Sequence, residues 1–169
     1  MSQTRIGFWP CFALGVTAVI FSATLFFIRD TPLPSTWDEA LYVNLVQQDL
    51  QSYNEGGLHK LATSLRYNDT HRPPAYRILV LPYNLIFGVQ TTALKAHALF
   101  FWCLTLWIMY LAGKSLAGSD AGAWAVMYLA LAPIIAYGGK LFYTEYALYF
   151  SIAATLLTLL QIIKSDCLN

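Results

Sequence analysis

The longest uninterrupted apolar stretch comes first, where residues 6–28 run for 23 positions without an Asp, Glu, Lys, Arg or His. At 1.5 Å per helical residue such a run covers the roughly 30 Å hydrocarbon core of a bilayer with some tilt. It reads as a membrane anchor. A cleaved leader has a shorter apolar stretch and a small-x-small site, whereas this run ends in Phe26-Phe27-Ile28. Polarity then changes abruptly, and residues 29–77 hold eleven of the nineteen formally charged side chains. This stretch is expected to form one large extramembranous loop, 29–93. Three further apolar runs follow at 98–113, 121–139 and 146–163, each near the minimum for a spanning helix. The first of these extends back to 94 if Lys95 snorkels toward the headgroups.

Inside the loop, apolar residues at 37, 41, 42, 45, 46 and 50 have the spacing of one helical face. An amphipathic helix over 37–50 is expected, lying on the membrane. Pro32 and Pro34 break the chain before it, and Thr36-x-x-Glu39 forms a capping box at its start. Gly56-Gly57 ends it, with a second short helix over 58–67. The run 75–88 is apolar but only fourteen residues long, with Arg77 near its start and Pro82 in its middle. That is too short to span, so an interfacial or re-entrant helix is expected there, entered through Pro73-Pro74. The fold class is therefore an all-α integral membrane protein. Residues 1–169 make one module of about four transmembrane helices, 6–28, 94–113, 121–139 and 146–163, plus juxtamembrane amphipathic helices.

Composition sharpens this picture. Hydrophobic residues make up 57% and charged residues 11%, against about 25% charged in soluble domains. The net charge of +1 and the absence of any basic run longer than a dipeptide leave no case for a nucleic-acid partner. Cys11 and Cys103 lie in apolar spans and Cys167 lies near the end, so no disulfide framework or metal spacing exists. Lys and Arg at short-loop positions, Arg5, Lys114 and Lys164, put both termini on the cytoplasmic side and the 29–93 loop outside. Asn68-Asp69-Thr70 is a glycosylation acceptor pattern that matters only in a secretory compartment.

Three groups of residues have candidate chemistry. Asp38 and Glu39 stand at a helix start, where carboxylates complement unsatisfied N–H groups and the positive end of the dipole. Glu39 also has the spacing of a capping residue, and Asp38 of a plain first-turn acid. His71-Arg72-Pro73-Pro74-Ala75-Tyr76 puts a fixed cation at the membrane surface, suited to a phosphate. Arg72 and Arg77 equally suit anchoring to lipid headgroups. Lys140-Leu141-Phe142-Tyr143-Thr144-Glu145 is a charged connection between two strongly apolar runs, where ionisable residues are costly.

In this order, Trp37-Asp38-Glu39-Ala40, the Pro-Pro motif ending in Tyr76, Phe87-Gly88 and Tyr143-Thr144-Glu145 resemble a family. It is the GT-C class of polyprenyl-phosphate-sugar-dependent glycosyltransferases, of the protein O-mannosyltransferase and aminoarabinose-transferase type. Two departures are Glu145 where several relatives have Asp, and Arg72 inserted in the His-Pro-Pro pattern. The resemblance implies transfer of a sugar from a polyprenyl (dolichyl or undecaprenyl) phosphate to a hydroxyl of a protein, lipid or glycan on the outer face, with inversion. Asp38 would be the general base, and Glu39 and Glu145 would orient it, the acceptor or a divalent metal. His71, Arg72, Tyr76 and Lys140 would hold the donor. Because the family's enzymes have more spans, the resemblance also implies an N-terminal portion completed by further chain or a partner subunit. The expected membrane is a bacterial inner membrane with the loop in the periplasm, the endoplasmic reticulum being the other option. The alternative is a truncated or accessory, non-catalytic membrane protein that binds lipid phosphate. A transporter fragment is disfavoured, because the spans hold no evident ionisable pair.

Overall fold

A computed structural model describes residues 8–34, 36–69, 74–132 and 145–166. All regular structure among them is helical: α1 (Phe8–Asp30), α2 (Trp37–Tyr67), α3 (Ala75–Phe87), α4 (Thr91–Ala117), α5 (Ser119–Leu131) and α6 (Glu145–Asp166). Three of these, α1, α4 and α6, are long and apolar enough to cross a membrane. They extend about 35, 40 and 33 Å at the helical rise. Most of their side chains face outward rather than into the protein, with 17%, 33% and 11% of the most apolar windows buried. Such helices meet hydrocarbon on their outer faces, since no water-driven core would leave Phe26, Phe100 or Leu159 exposed.

The fourth expected span, 121–139, is shorter in its described part. Helix α5 ends at Leu131, and Ala132 is extended at φ −61° and ψ 123°. The cause is Pro133, whose ring excludes the preceding residue from helical geometry. Residues 133–139 lie outside the described residues. Within α5 the small side of the helix, Gly122, Ala123, Val126 and Ala130, packs against α4 and α1. A Cβ on Gly122 would stand 2.6 Å from the Tyr110 carbonyl oxygen, and one on Gly113 would stand 2.8 Å from the Gly122 Cα. These two glycines let the α4 and α5 backbones touch.

Helix directions follow from contacts at both ends. Lys95, near the start of α4, bonds the carbonyls of Thr31 and Leu33 where the chain leaves α1, so α1 and α4 are antiparallel. Tyr146, at the start of α6, faces His97 and Ala98 of α4, and Lys164 at the other end of α6 donates to the Ser115 carbonyl. Helices α4 and α6 therefore run parallel, side by side.

The two amphipathic helices between α1 and α4 are present as expected, with one correction of face. Helix α2 continues through Tyr67, broken at Gly56 and at Gly57, whose φ of 61° and ψ of −151° are glycine-specific. The second short helix, 58–67, thus joins the first across a kink. The buried side of the first half is Glu39, Tyr42, Leu45, Val46 and Asp49, whereas Trp37 is 77% exposed and Leu50 half-buried. Helix α3 is about 20 Å long and buries Tyr76, Arg77, Val80 and Asn84 against α2 and α4. Its opposite side presents Ile78, Leu85 and Ile86 outward. An apolar outer side on a helix too short to span suits the expected interfacial position.

Candidate functional site

Helix α2 starts at a capped N-terminus. Thr36 is extended at φ −140° and ψ 162°, and its Oγ1 accepts a hydrogen bond from the Glu39 N–H at 3.2 Å. This is the expected cap. In the first turn, Asp38 and Glu39 then point to different surroundings, because adjacent helical residues lie about 100° apart. Asp38 is exposed. Glu39 is fully buried, with Oε1 3.7 Å from the Nζ of Lys95, itself fully buried.

Extension of the second span back to 94 is conditional on Lys95 snorkelling to the headgroups; α4 does start at Thr91, but Lys95 is buried inside the protein instead. Its ammonium donates to the Thr31 and Leu33 carbonyls at 3.0 Å each and faces Glu39. A buried ammonium has to satisfy its donors within the protein, and the unpaired carbonyls at the exit of α1 supply two acceptors. One side chain thereby ties α1, α2 and α4 together. Glu39 belongs to α2, outside the expected spans, so the contact joins a spanning helix to the segment between α1 and α4.

A second polar knot fixes α3. The Arg77 guanidinium reaches Asp49 by two bonds, Nε to Oδ2 at 2.6 Å and Nη2 to Oδ1, and Nη2 also donates to the Ser64 carbonyl at 3.2 Å. Ser64 Oγ donates to Asp49 Oδ1 at 2.7 Å, and Asn68 Nδ2 donates to Ser64 Oγ at 2.7 Å. Both charged side chains are almost fully buried. Arg77 is therefore a cross-brace between α3 and both halves of α2, not a headgroup anchor. The kink at Gly56-Gly57 lets the chain turn so that Ser64 meets Asp49.

Tyrosines from three helices gather between the knots. The Tyr42 and Tyr76 rings meet edge to face at 5.1 Å, and Tyr146 belongs to the same buried cluster. Tyr76, expected to hold donor, is buried at 8% exposed. Beside it, a void of about 20 Å³ is bounded by Tyr76, His97, Phe101 and Tyr146, room for one water. His97 bonds the Leu79 backbone and packs against the rings of Tyr83 at 5.3 Å and Phe101 at 5.0 Å.

The cluster brings the starts of α2, α3, α4 and α6 to one end of the bundle. Asp38 and Glu145 are both exposed first-turn acids of helices that begin there. His71, Arg72 and Lys140 lie outside the described residues. Among the described residues, no three His, Cys, Asp or Glu side chains come together in a way that could hold a metal ion.

Sequence reasoning missed Asp49 and His97, and named Lys95 only as a snorkelling residue at a span edge. Asp49 and Lys95 each carried a signal, a charge at helical spacing within an apolar side: 42, 45, 46, 49 in α2 and 94, 95, 98, 99 in α4. No family model, no curated protein and no solved structure matches this chain.

Proposed function

We propose that the chain is the N-terminal part of a membrane glycosyltransferase that moves a sugar from a polyprenyl-phosphate donor to a hydroxyl acceptor with inversion. The observation that carries this reading is the separation of the acid pair. Glu39 is held against Lys95 while Asp38 projects outward from a braced helix start, the placement a general base needs. In the reaction, Asp38 takes the acceptor proton as the hydroxyl oxygen attacks the anomeric carbon. The bond from that carbon to the phosphate oxygen breaks, and polyprenyl phosphate leaves. Arg72 and Lys140 neutralise its charge. Glu39 acts through the helix it fixes, and Glu145 faces the acceptor. The donor is held in the membrane by its own tail, so no nucleotide-binding loop is required.

Four passes with both termini on the cytoplasmic side belong to the same reading. They are supported by the shared ends: α4 finishes and α6 begins at opposite ends of the bundle, and α5 packs along α4 and α1. The loop 29–93 then lies outside, in the periplasm of a bacterial inner membrane.

A second reading, a non-catalytic accessory protein that binds lipid phosphate, is favoured by the burial of Glu39, which leaves Asp38 as the only exposed carboxylate of the pair. One experiment separates them. Membranes containing the complete enzyme with its remaining spans are assayed for sugar transfer from a polyprenyl-phosphate donor, with insertion checked in parallel. Asp38→Asn is expected to lower turnover by about 10²–10⁴ and leave insertion intact. Turnover within tenfold of the parent, or no transfer by the parent, refutes the catalytic reading.

A further inference from the structure

At the other end of the bundle from Asp38, α1 and α4 part to leave an apolar groove of about 590 Å³ with Val126 of α5 at its base. Cys11 and Leu14 of α1 form one wall, and Cys103, Trp107 and Tyr110 of α4 form the other. The groove is not sealed from the membrane, since Leu14 is 72% and Trp107 60% exposed.

Its length and its end charge identify what fits. From Cys103 to Lys114, α4 rises about 16 Å, close to half of the roughly 30 Å hydrocarbon core. The groove is thus one leaflet deep. Lys114 lines it at the membrane-surface end, and Lys164 lies beside it, bonded to the Ser115 carbonyl. The neighbouring acid is Asp120, which accepts from Ser119 Oγ at 3.4 Å. An aromatic wall with a cation at the headgroup level matches a chain with an anion at its top.

We propose that this groove binds an anionic phospholipid of the leaflet at the Lys114 end, with one acyl chain between α1 and α4 and its phosphate on Lys114. Such a lipid replaces the hydrocarbon contacts that the two helices do not make with each other along this stretch. The site requires no catalysis and stands apart from the sugar-transfer reading.

The full chain in nanodiscs of phosphatidylcholine with a minor share of phosphatidylglycerol carrying a photoreactive acyl chain provides the test. Label is expected to concentrate on the segments containing Cys11 and Cys103–Tyr110. Leu14→Trp, which fills the groove, is expected to abolish that concentration, whereas Leu159→Trp on the exposed side of α6 leaves it unchanged. Lys114→Gln is expected to reduce the preference for phosphatidylglycerol over a phosphatidylcholine probe by about fivefold. Label spread evenly over α1, α4 and α6 overturns the proposal. So does equal labelling by both probes in the parent, or crosslinks joining Cys11 of two copies, which would mean that another helix fills the groove.

Discussion

Removing the Asp49 carboxylate tests whether the second knot holds α3 in place. Asp49→Ala leaves a buried guanidinium with only the Ser64 carbonyl among the partners it had, and takes the acceptor from Ser64 Oγ. Breaking a buried pair by deleting one partner costs about 3–5 kcal/mol, because an uncompensated charge stays behind. Replacing both by apolar groups of similar volume is close to neutral. The double variant Asp49→Leu with Arg77→Met is therefore expected to keep α3 docked while the single variant releases it. At about 1.4 kcal/mol per tenfold, the single change raises local opening by roughly 10²–10⁴. Hydrogen exchange of the α3 amides, measured in detergent or nanodiscs, reads this opening directly, since α3 packs chiefly on α2 and α4. The residues that lose protection should be those near Val80 and Asn84, while the middle of α4 stays protected. Parent-like exchange in Asp49→Ala would refute the role of the Asp49–Arg77 pair in docking α3. So would a double variant that opens as far as the single one, because then shape rather than charge pairing holds the helix.

Lys95→Met removes the cation facing the buried Glu39 carboxylate and the donor to the carbonyls of Thr31 and Leu33; exchange in the first turn of α2 should rise at least about tenfold, and unchanged protection there would refute the brace. Gly122→Leu drives a side chain into the Tyr110 carbonyl and is expected to cost about 1–3 kcal/mol. It would be read as a lowered melting temperature in detergent, and an unaltered melt would contradict the close approach. Gly57→Ala is expected to cost about 1–3 kcal/mol because its backbone geometry is closed to other residues. Gly15→Ala, with nothing within 4 Å of the added methyl, should be neutral or gain up to about 1 kcal/mol in the same melt.

What the residue pattern makes legible is local. Run lengths and proline or glycine punctuation place α1, α3 and the kink of α2 within a residue or two, because each depends on neighbours in sequence. The run expected to span at 121–139 is described only as far as Ala132, where α5 ends before Pro133. Charge pairing is legible only once packing is known, because the partners are far apart: Arg77 and Asp49 are 28 positions apart, and Lys95 reaches carbonyls 62 and 64 positions away. Taken singly, Asp49, Arg77 and Lys95 look like surface charges on amphipathic helices. What distinguishes them is that each interrupts an apolar side. Two such sides that cover one another have to bring opposite charges together or pay the full cost of burial.

That cost also explains why the two ends of the bundle differ. A lysine in a spanning helix is expensive in hydrocarbon, yet Lys95 stands five residues into α4, where the chain leaves α1 and its last carbonyls have lost helical partners. The ammonium and the carbonyls satisfy each other there, and Glu39 supplies the counter-charge, so the polar burden of three helix ends is settled in one contact. The end carrying Lys114 has no comparable knot joining α1 to α4 among the described residues; it has a close-packed glycine contact between α4 and α5 and an apolar groove beside it. An end braced by directional bonds fixes the helix start that carries Asp38. An end filled by side chains and hydrocarbon has no such demand. The Lys95→Met variant should therefore loosen the helix start that carries Asp38 while leaving the glycine contact between α4 and α5 in place.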